Sequence, residues 1–175
     1  MVLAKKSVKS NFSYLCRFKF MGMAHRGAST LSPENTLGAF IAAHKLGFRN
    51  FELDVHSSID GEVFVCHDDN LKRLIGEDLV LSNLSSSDIR SLEVTYGYKI
   101  PTLLQILEKF PDAQLNIDAK SWKVINPLCQ VIKTTKAYNR ICIGSFSDLR
   151  VRKVIKNLNQ LVCYSPGPLG CLYFY

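Results

Sequence analysis

Two pairs of charged residues sit inside apolar, strand-like runs with a single residue between their members: Glu52 and Asp54 in NFELDVH, and Asp118 and Lys120 in LNIDAK. Successive side chains of a strand point to opposite faces, so the members of each pair share a face. Two neighbouring carboxylates repel unless something neutralises them, and a hard divalent cation does so while taking oxygen ligands. His25 and Arg26 close an earlier apolar run, RFKFMGMAHRG, and His67 follows another, EVFVC. Imidazole exchanges protons near neutral pH, which makes His25 and His67 candidates for general acid and base. Asp68 or Asp69 is placed to fix the tautomer of His67. His44 and His56 have no such company and read as structural.

These side chains belong to separate segments, so the fold must bring them together. Short apolar runs alternate with helix-like stretches, the pattern of an α/β protein with parallel strands. The segment SPENTLGAFIAAHKLG carries helix punctuation: Ser32 as N-cap, Pro33 at the first helical position, Glu34 in the first turn and Gly47 as the stop. On that reading Glu34 and Asn35 serve the helix start. Strands are expected at 50–56, 115–120, 140–146 and 161–166, with helices after Pro101 and at 126–135 and 148–158. Asp60-Gly61 turns the chain into a hairpin arm at 62–69, and the polar, Ser-rich residues 70–98 form an excursion from the main rhythm. In a barrel of parallel strands the C-terminal strand ends converge on one mouth, where active sites of that architecture lie. His25, Arg26, Glu52, Asp54, Asp118 and Lys120 would meet there.

Charge agrees with that placement. The chain has 175 residues and a net charge of +7, but residues 1–33 hold six bases and no acid, while residues 34–122 hold 14 of the 15 acids. The acidic middle is where a cation belongs, and the basic ends suit anionic substrates. No basic helix interleaved with aromatics and no zinc-finger or RNP-like pattern points to nucleic acid. The six cysteines include no CxxC pair, and Cys66, Cys142 and Cys163 lie in apolar runs, so they read as reduced and structural. No stretch of about 18 apolar residues is present to span a membrane, and the expected location is cytoplasmic.

HRG at 25–27, PENT at 33–36, ELDV at 52–55, DG at 60–61 and HD at 67–68 follow one another in order, continued by IPTL at 100–103, NIDAK at 116–120 and SF at 145–146. This succession resembles the consecutive motifs of the glycerophosphodiester phosphodiesterases over about residues 21–150. The resemblance implies a TIM-barrel-like (β/α) fold with a small insertion after the second strand, here about residues 57–98. It also implies a magnesium- or calcium-dependent hydrolysis of glycerophosphodiesters to sn-glycerol 3-phosphate and an alcohol. Carried over residue by residue, His25 and His67 are the acid/base pair. Glu52, Asp54 and Asp118 hold the metal, and Arg26 and Lys120 contact the phosphate.

The chain departs from that pattern in two ways. Asp118 stands where the family usually has Glu, and the late segments with a strand-borne Trp and a Thr-Asp motif have no counterpart. A complete barrel takes about 250 residues, so residues 21–175 are expected to form an incomplete barrel, preceded by a basic extension over 1–20. Open edges at RFKFMGM and at LVCYSP with the aromatic tail LYFY are expected to favour self-association. Three functional readings follow: an active phosphodiesterase, a truncated paralogue that binds without turnover, and a related two-histidine phospholipase acting on lipid.

Overall fold

The computed structural model describes Tyr14 and residues 22–167. The basic extension apart from Tyr14, most of RFKFMGM, Cys16, Cys171 and the LYFY tail lie outside the described residues. A parallel sheet runs in the order β1 (Ala24–His25), β2 (Asn50–Ser57), β4 (Gln114–Ala119), β5 (Ile141–Gly144) and β6 (Cys163–Tyr164), with β3 (Val63–Val65) antiparallel beside β2. Among the described residues β1 and β6 are the edges and do not pair with each other, so the sheet is not closed.

One face of the sheet is apolar except for Ser57 at the end of β2. Phe51, Leu53, Val55, Leu115, Ile117, Ala119, Ile141 and Ile143 alternate out of the strands into a single core with the helices. Helix α1 (Leu37–Lys45) contributes Phe40, whose ring packs 5.4 Å from that of Phe51, and Phe110, just past α4 (Leu103–Lys109), meets Phe51 edge-on at 5.3 Å. Helix α5 (Ile125–Thr135) buries Ile125, Leu128, Cys129 and Ile132, the three- and four-residue spacing of one helical face. Helix α6 (Asp148–Leu158) does the same with Val151, Val154 and Leu158.

Parallel strands are usually apolar on both faces. Here the other face is polar: Asn50, Glu52, Asp54 and His56 on β2 stand beside Gln114, Asn116 and Asp118 on β4, with Glu52 level with Asn116 and Asp54 level with Asp118. This is the face a closed barrel turns inward. The stretch between β3 and α4 holds two short helices, α2 (Lys72–Ile75) and α3 (Ser86–Ser91), and buries a separate small core of Phe64, Cys66, Leu71, Leu81, Ile89, Val94 and Ile100. No helix among the described residues is long and apolar enough to cross a membrane.

The first helix starts later than its punctuation suggests. Thr36, not Ser32, is the N-cap, its hydroxyl accepting from the Ala39 N–H, and residues 27–35 form turns. Arg26 and Asn35 both adopt the left-handed region, with φ of 53° and 56°, and the Asn35 N–H donates to the Arg26 carbonyl at 3.0 Å. Gly27 makes that loop possible. Its φ is 79°, and a Cβ there would lie 2.8 Å from Ala39. The helix ends where its glycine implies, with Gly47 at φ 91° just past the last turn.

Candidate active site

The loop from His25 to Thr36 and the ends of β2 and β4 converge on Asp54. Its carboxylate is 2% exposed and meets three groups: Oδ1 lies 2.8 Å from the Lys120 Nζ, and Oδ2 accepts from Asn35 at 3.0 Å and lies 3.3 Å from the Arg26 Nε. Lys120 also bonds Asp118 Oδ2 at 2.8 Å, so one ammonium bridges the two strands. Glu52 Oε2 accepts from the Arg26 backbone N–H at 3.1 Å and lies 3.8 Å from the His25 Nε2. The mouth thus alternates in charge.

His67 enters from the segment after β3. Its Nδ1 is 2.6 Å from Asp68 Oδ1, which fixes that nitrogen as the N–H and leaves Nε2 as the lone-pair nitrogen. Asp68 is held in turn by Arg73, and Arg73 reaches across to Glu34 at 2.7 Å. Glu34 then accepts from Arg26 Nη1 at 3.1 Å with both oxygens. A continuous chain of hydrogen bonds and ion pairs therefore ties His67 to Arg26. Glu34 and Asn35 do more than punctuate a helix: each grips a member of this network.

Several site residues escaped the sequence reading. His56 is buried, donates from Nε2 to the His67 carbonyl at 3.1 Å, and its Nδ1 lies 3.8 Å from Asp69. Burial lowers its pKa, so it stands neutral. Its signal was present, because 52, 54 and 56 continue one period-two face. Asn116 continues the face of Asp118 and Lys120 in the same way. Arg150 of α6 bonds the Lys120 carbonyl at 2.6 Å and Ser145 Oγ at 2.9 Å, and nothing local in the sequence announces it.

Beside the network lies a groove of about 320 Å³ lined by Glu52, Asn116, Asp118, Ser145, Phe146 and the turn at Pro166. Among the described residues no group of three or more His, Cys, Asp or Glu side chains is gathered around one point for a cation. Both Asp54 oxygens are engaged by Lys120, Asn35 and Arg26. Glu52 and Asp118 are the two acids of the predicted set that face the groove. Asp118 Oδ1 and Asn116 Oδ1 are both buried there without a hydrogen-bond partner. Buried acceptor oxygens are costly when unmet, and a carboxylate and an amide oxygen suit a hard cation.

The sequence and fold of known proteins agree with this geometry. Residues 25–166 match the glycerophosphoryl diester phosphodiesterase family. The chain belongs to that family. It is 39% identical over 148 residues to a probable glycerophosphodiester phosphodiesterase 2 of Mycobacterium tuberculosis, covering 84% of this chain and 56% of that protein. A glycerophosphodiester phosphodiesterase from Thermotoga maritima superposes with a TM-score of 0.71 at 32% identity, over 84% of this chain and 61% of the other. An Oleispira antarctica phosphodiesterase, solved in complex with the product sn-glycerol-3-phosphate, gives 0.74 at 26% identity, over 81% and 64%. The chain therefore spans a little over half the length of the first of these relatives. The TIM-barrel-like fold expected of the family is present as an incomplete barrel, parallel strands backed by helices.

The site also has a pH signature. Burial alone would raise the Asp54 pKa, but the bonds from Lys120 and Asn35 and the charges of Lys120 and Arg26 outweigh it and hold the carboxyl below its usual range. Glu52 goes the other way. Burial and the neighbouring Asp54 push it up, and the Arg26 N–H offsets this only in part. A depressed carboxyl stabilises the fold above its unfolded pKa and loses that contribution as pH falls through the folded value; a raised one costs stability at neutral pH and is relieved on acidification. The urea midpoint is therefore expected to be flat or slightly rising from about pH 7 to 5, and to drop below about pH 4, the ordinary carboxylate range. A steady decline beginning at pH 7 would contradict this assignment.

Proposed function

We propose that this chain hydrolyses glycerophosphodiesters to sn-glycerol 3-phosphate and an alcohol at the polar mouth of its sheet. The observation that carries the reading is the joining of His67, Asp68, Arg73, Glu34, Arg26 and Asp54 into one ion-paired network next to Glu52 and Asp118. Arg26 and Lys120 receive the phosphate oxygens. An ammonium has three donors, of which Lys120 spends two on carboxylates, and a guanidinium has five. His67, oriented by Asp68, takes the proton of the attacking nucleophile, and His25 returns one to the leaving alkoxide. Arg26, held in its left-handed turn, supports the extra charge of the transition state.

A divalent cation, magnesium or calcium, is assigned to Glu52 and Asp118, with Asn116 as an added oxygen and Asp54 behind them. When bound it neutralises charge on the non-bridging oxygens. Glu52→Gln tests the assignment with two readouts. It is expected to stabilise the metal-free protein at pH 7, since it removes a carboxyl that burial disfavours. It should also weaken magnesium or calcium binding in calorimetry by about 1.4 kcal/mol or more, a factor of ten. Equal affinities in the two proteins would remove Glu52 from the ligand set.

The separate small core between β3 and α4 supports treating about residues 57–98 as an insertion in a domain of residues 21–175. The free thiols of Cys66, Cys129, Cys142 and Cys163 go with a cytoplasmic setting. The short edge strands β1 and β6 leave backbone groups for a second copy to pair with, a contact that size-exclusion chromatography at rising concentration reads. The deciding experiment is release of sn-glycerol 3-phosphate from glycerophosphocholine or glycerophosphoethanolamine by the purified chain with added divalent cation. Binding of metal without any product would favour a non-catalytic paralogue, and a lipid product from lysophospholipid alone would favour a phospholipase.

A further inference from the structure

Cys142 of β5 and Cys163 of β6 take no part in the network described above, yet they are set side by side. They are Cα partners in the parallel register of adjacent strands. Their side chains therefore leave the same face of the sheet, on strands about 5 Å apart. That spacing lies within the span of about 4.4 to 6.8 Å between Cα atoms that a disulfide bridges. With Tyr14 the two residues form a small buried cluster of their own. Both are free, and each keeps 7% of its surface exposed.

We propose that Cys142 and Cys163 are a redox pair that closes to a disulfide on meeting a low-molecular-weight disulfide or a hydroperoxide. Coupling between the paired thiols lowers the Cys163 pKa and, with burial, raises that of Cys142. In this pair Cys163 is assigned the attack and Cys142 the resolution. The Cys163 thiolate attacks one sulfur of RSSR, forms a mixed disulfide and expels RS⁻. Cys142 then gives up its proton to solvent, and its sulfur displaces the second RS⁻. Two electrons pass from the protein thiols to the reagent, which leaves as two RSH. A hydroperoxide enters by the same sulfur: Cys163 gains OH as a sulfenic acid, ROH leaves, and Cys142 expels water.

The other described cysteines lack this arrangement. Cys66 donates to the Asp68 carbonyl at 3.2 Å, and burial pushes its pKa up to about 12. Cys129 donates to the Val154 carbonyl at 3.7 Å, and burial raises it too. The position of the pair matters for the groove. Gly144 and Ser165, each two residues beyond a member of the pair, line it, and the Ser165 N–H bonds the Ile143 carbonyl at 2.9 Å. Closure would fasten β6 to β5 directly under that wall.

The test needs no turnover. The full chain is incubated with oxidised glutathione, and in parallel with hydrogen peroxide, then alkylated, digested with trypsin and analysed by mass spectrometry without reduction. The expected product is residues 141–150 linked to residues 157–175, together with loss of two titratable thiols. The same link should form in Cys171→Ser, which leaves Cys163 as the sole cysteine of the second peptide. In Cys142→Ser, glutathione should remain on Cys163 as a stable mixed disulfide. The proposal is overturned if Cys142 and Cys163 both stay alkylated under oxidant. It is also overturned if wild type accumulates glutathionylated Cys163 without the link, or if the link persists in Cys163→Ser.

Discussion

His67→Ala is expected to lower turnover of glycerophosphocholine by about 10²- to 10⁴-fold while the protein stays folded, the range that general acid-base groups contribute. The ring is one-third exposed, belongs to neither apolar core and makes its closest contact with Asp68. Asp68 keeps Arg73 as a partner when the imidazole is gone, so no buried charge is orphaned. The unfolding free energy from urea denaturation should therefore change by no more than about 0.5 kcal/mol, as for surface substitutions away from special features. His25→Ala is expected to behave alike, since His25 lies at the rim with 69% of its side chain exposed. Steady-state kinetics beside urea denaturation separates the two roles. Loss of fold, or a wild-type rate in either variant, would return that histidine to a structural role.

Lys120→Met should have the largest effect on stability, about 3 kcal/mol. Removing one partner of a buried pair costs about 3–5 kcal/mol because the other charge is left uncompensated. The lower end applies, since 14% of the Lys120 side chain remains exposed and Asp54 retains Arg26 and Asn35. Asp118 fares worse, because its Oδ1 already lacks a partner and its Oδ2 would lose the ammonium. Burial lowers the Lys120 pKa, but the bonds to Asp118 and Asp54 outweigh this and raise it, so the lysine is charged throughout the neutral range. Adding Asp118→Asn to Lys120→Met should recover part of the loss, and the double-mutant cycle isolates the coupling. If Lys120→Met unfolds at the wild-type urea concentration, the bridge contributes nothing to the fold.

The two predictions depend on different kinds of information, and the chain makes the division visible. Glu52 with Asp54 and Asp118 with Lys120 were legible because a strand repeats every two residues, a property of local covalent geometry that holds wherever the strand sits. The alternation of strands and helices was legible for the same reason, and so were α5 and α6 with their three- and four-residue spacing. The ordered motifs from HRG to SF carried the family. His56 and Asn116 obeyed the same period, so the sequence determined their facing as well; what it withheld was that their neighbours are chemical.

Tertiary structure alone decided the rest. Ser32, Pro33 and Glu34 satisfy every local rule for a helix start, yet the helix begins at Thr36. The hydrogen bond from Asn35 to the Arg26 carbonyl, and the grip of Glu34 on two arginines, close a loop that no local preference encodes. Asp54 was expected to hold the metal with Glu52 and Asp118; in the fold Lys120 from the end of β4 and Asn35 and Arg26 from the loop before α1 engage both its oxygens. Arg150 reaches the site from a helix 30 residues beyond Lys120. Direction along a strand is set by the bonds of a few residues. Which partner fills a lone pair is set by distances between segments remote in sequence, and those exist only once the chain has folded.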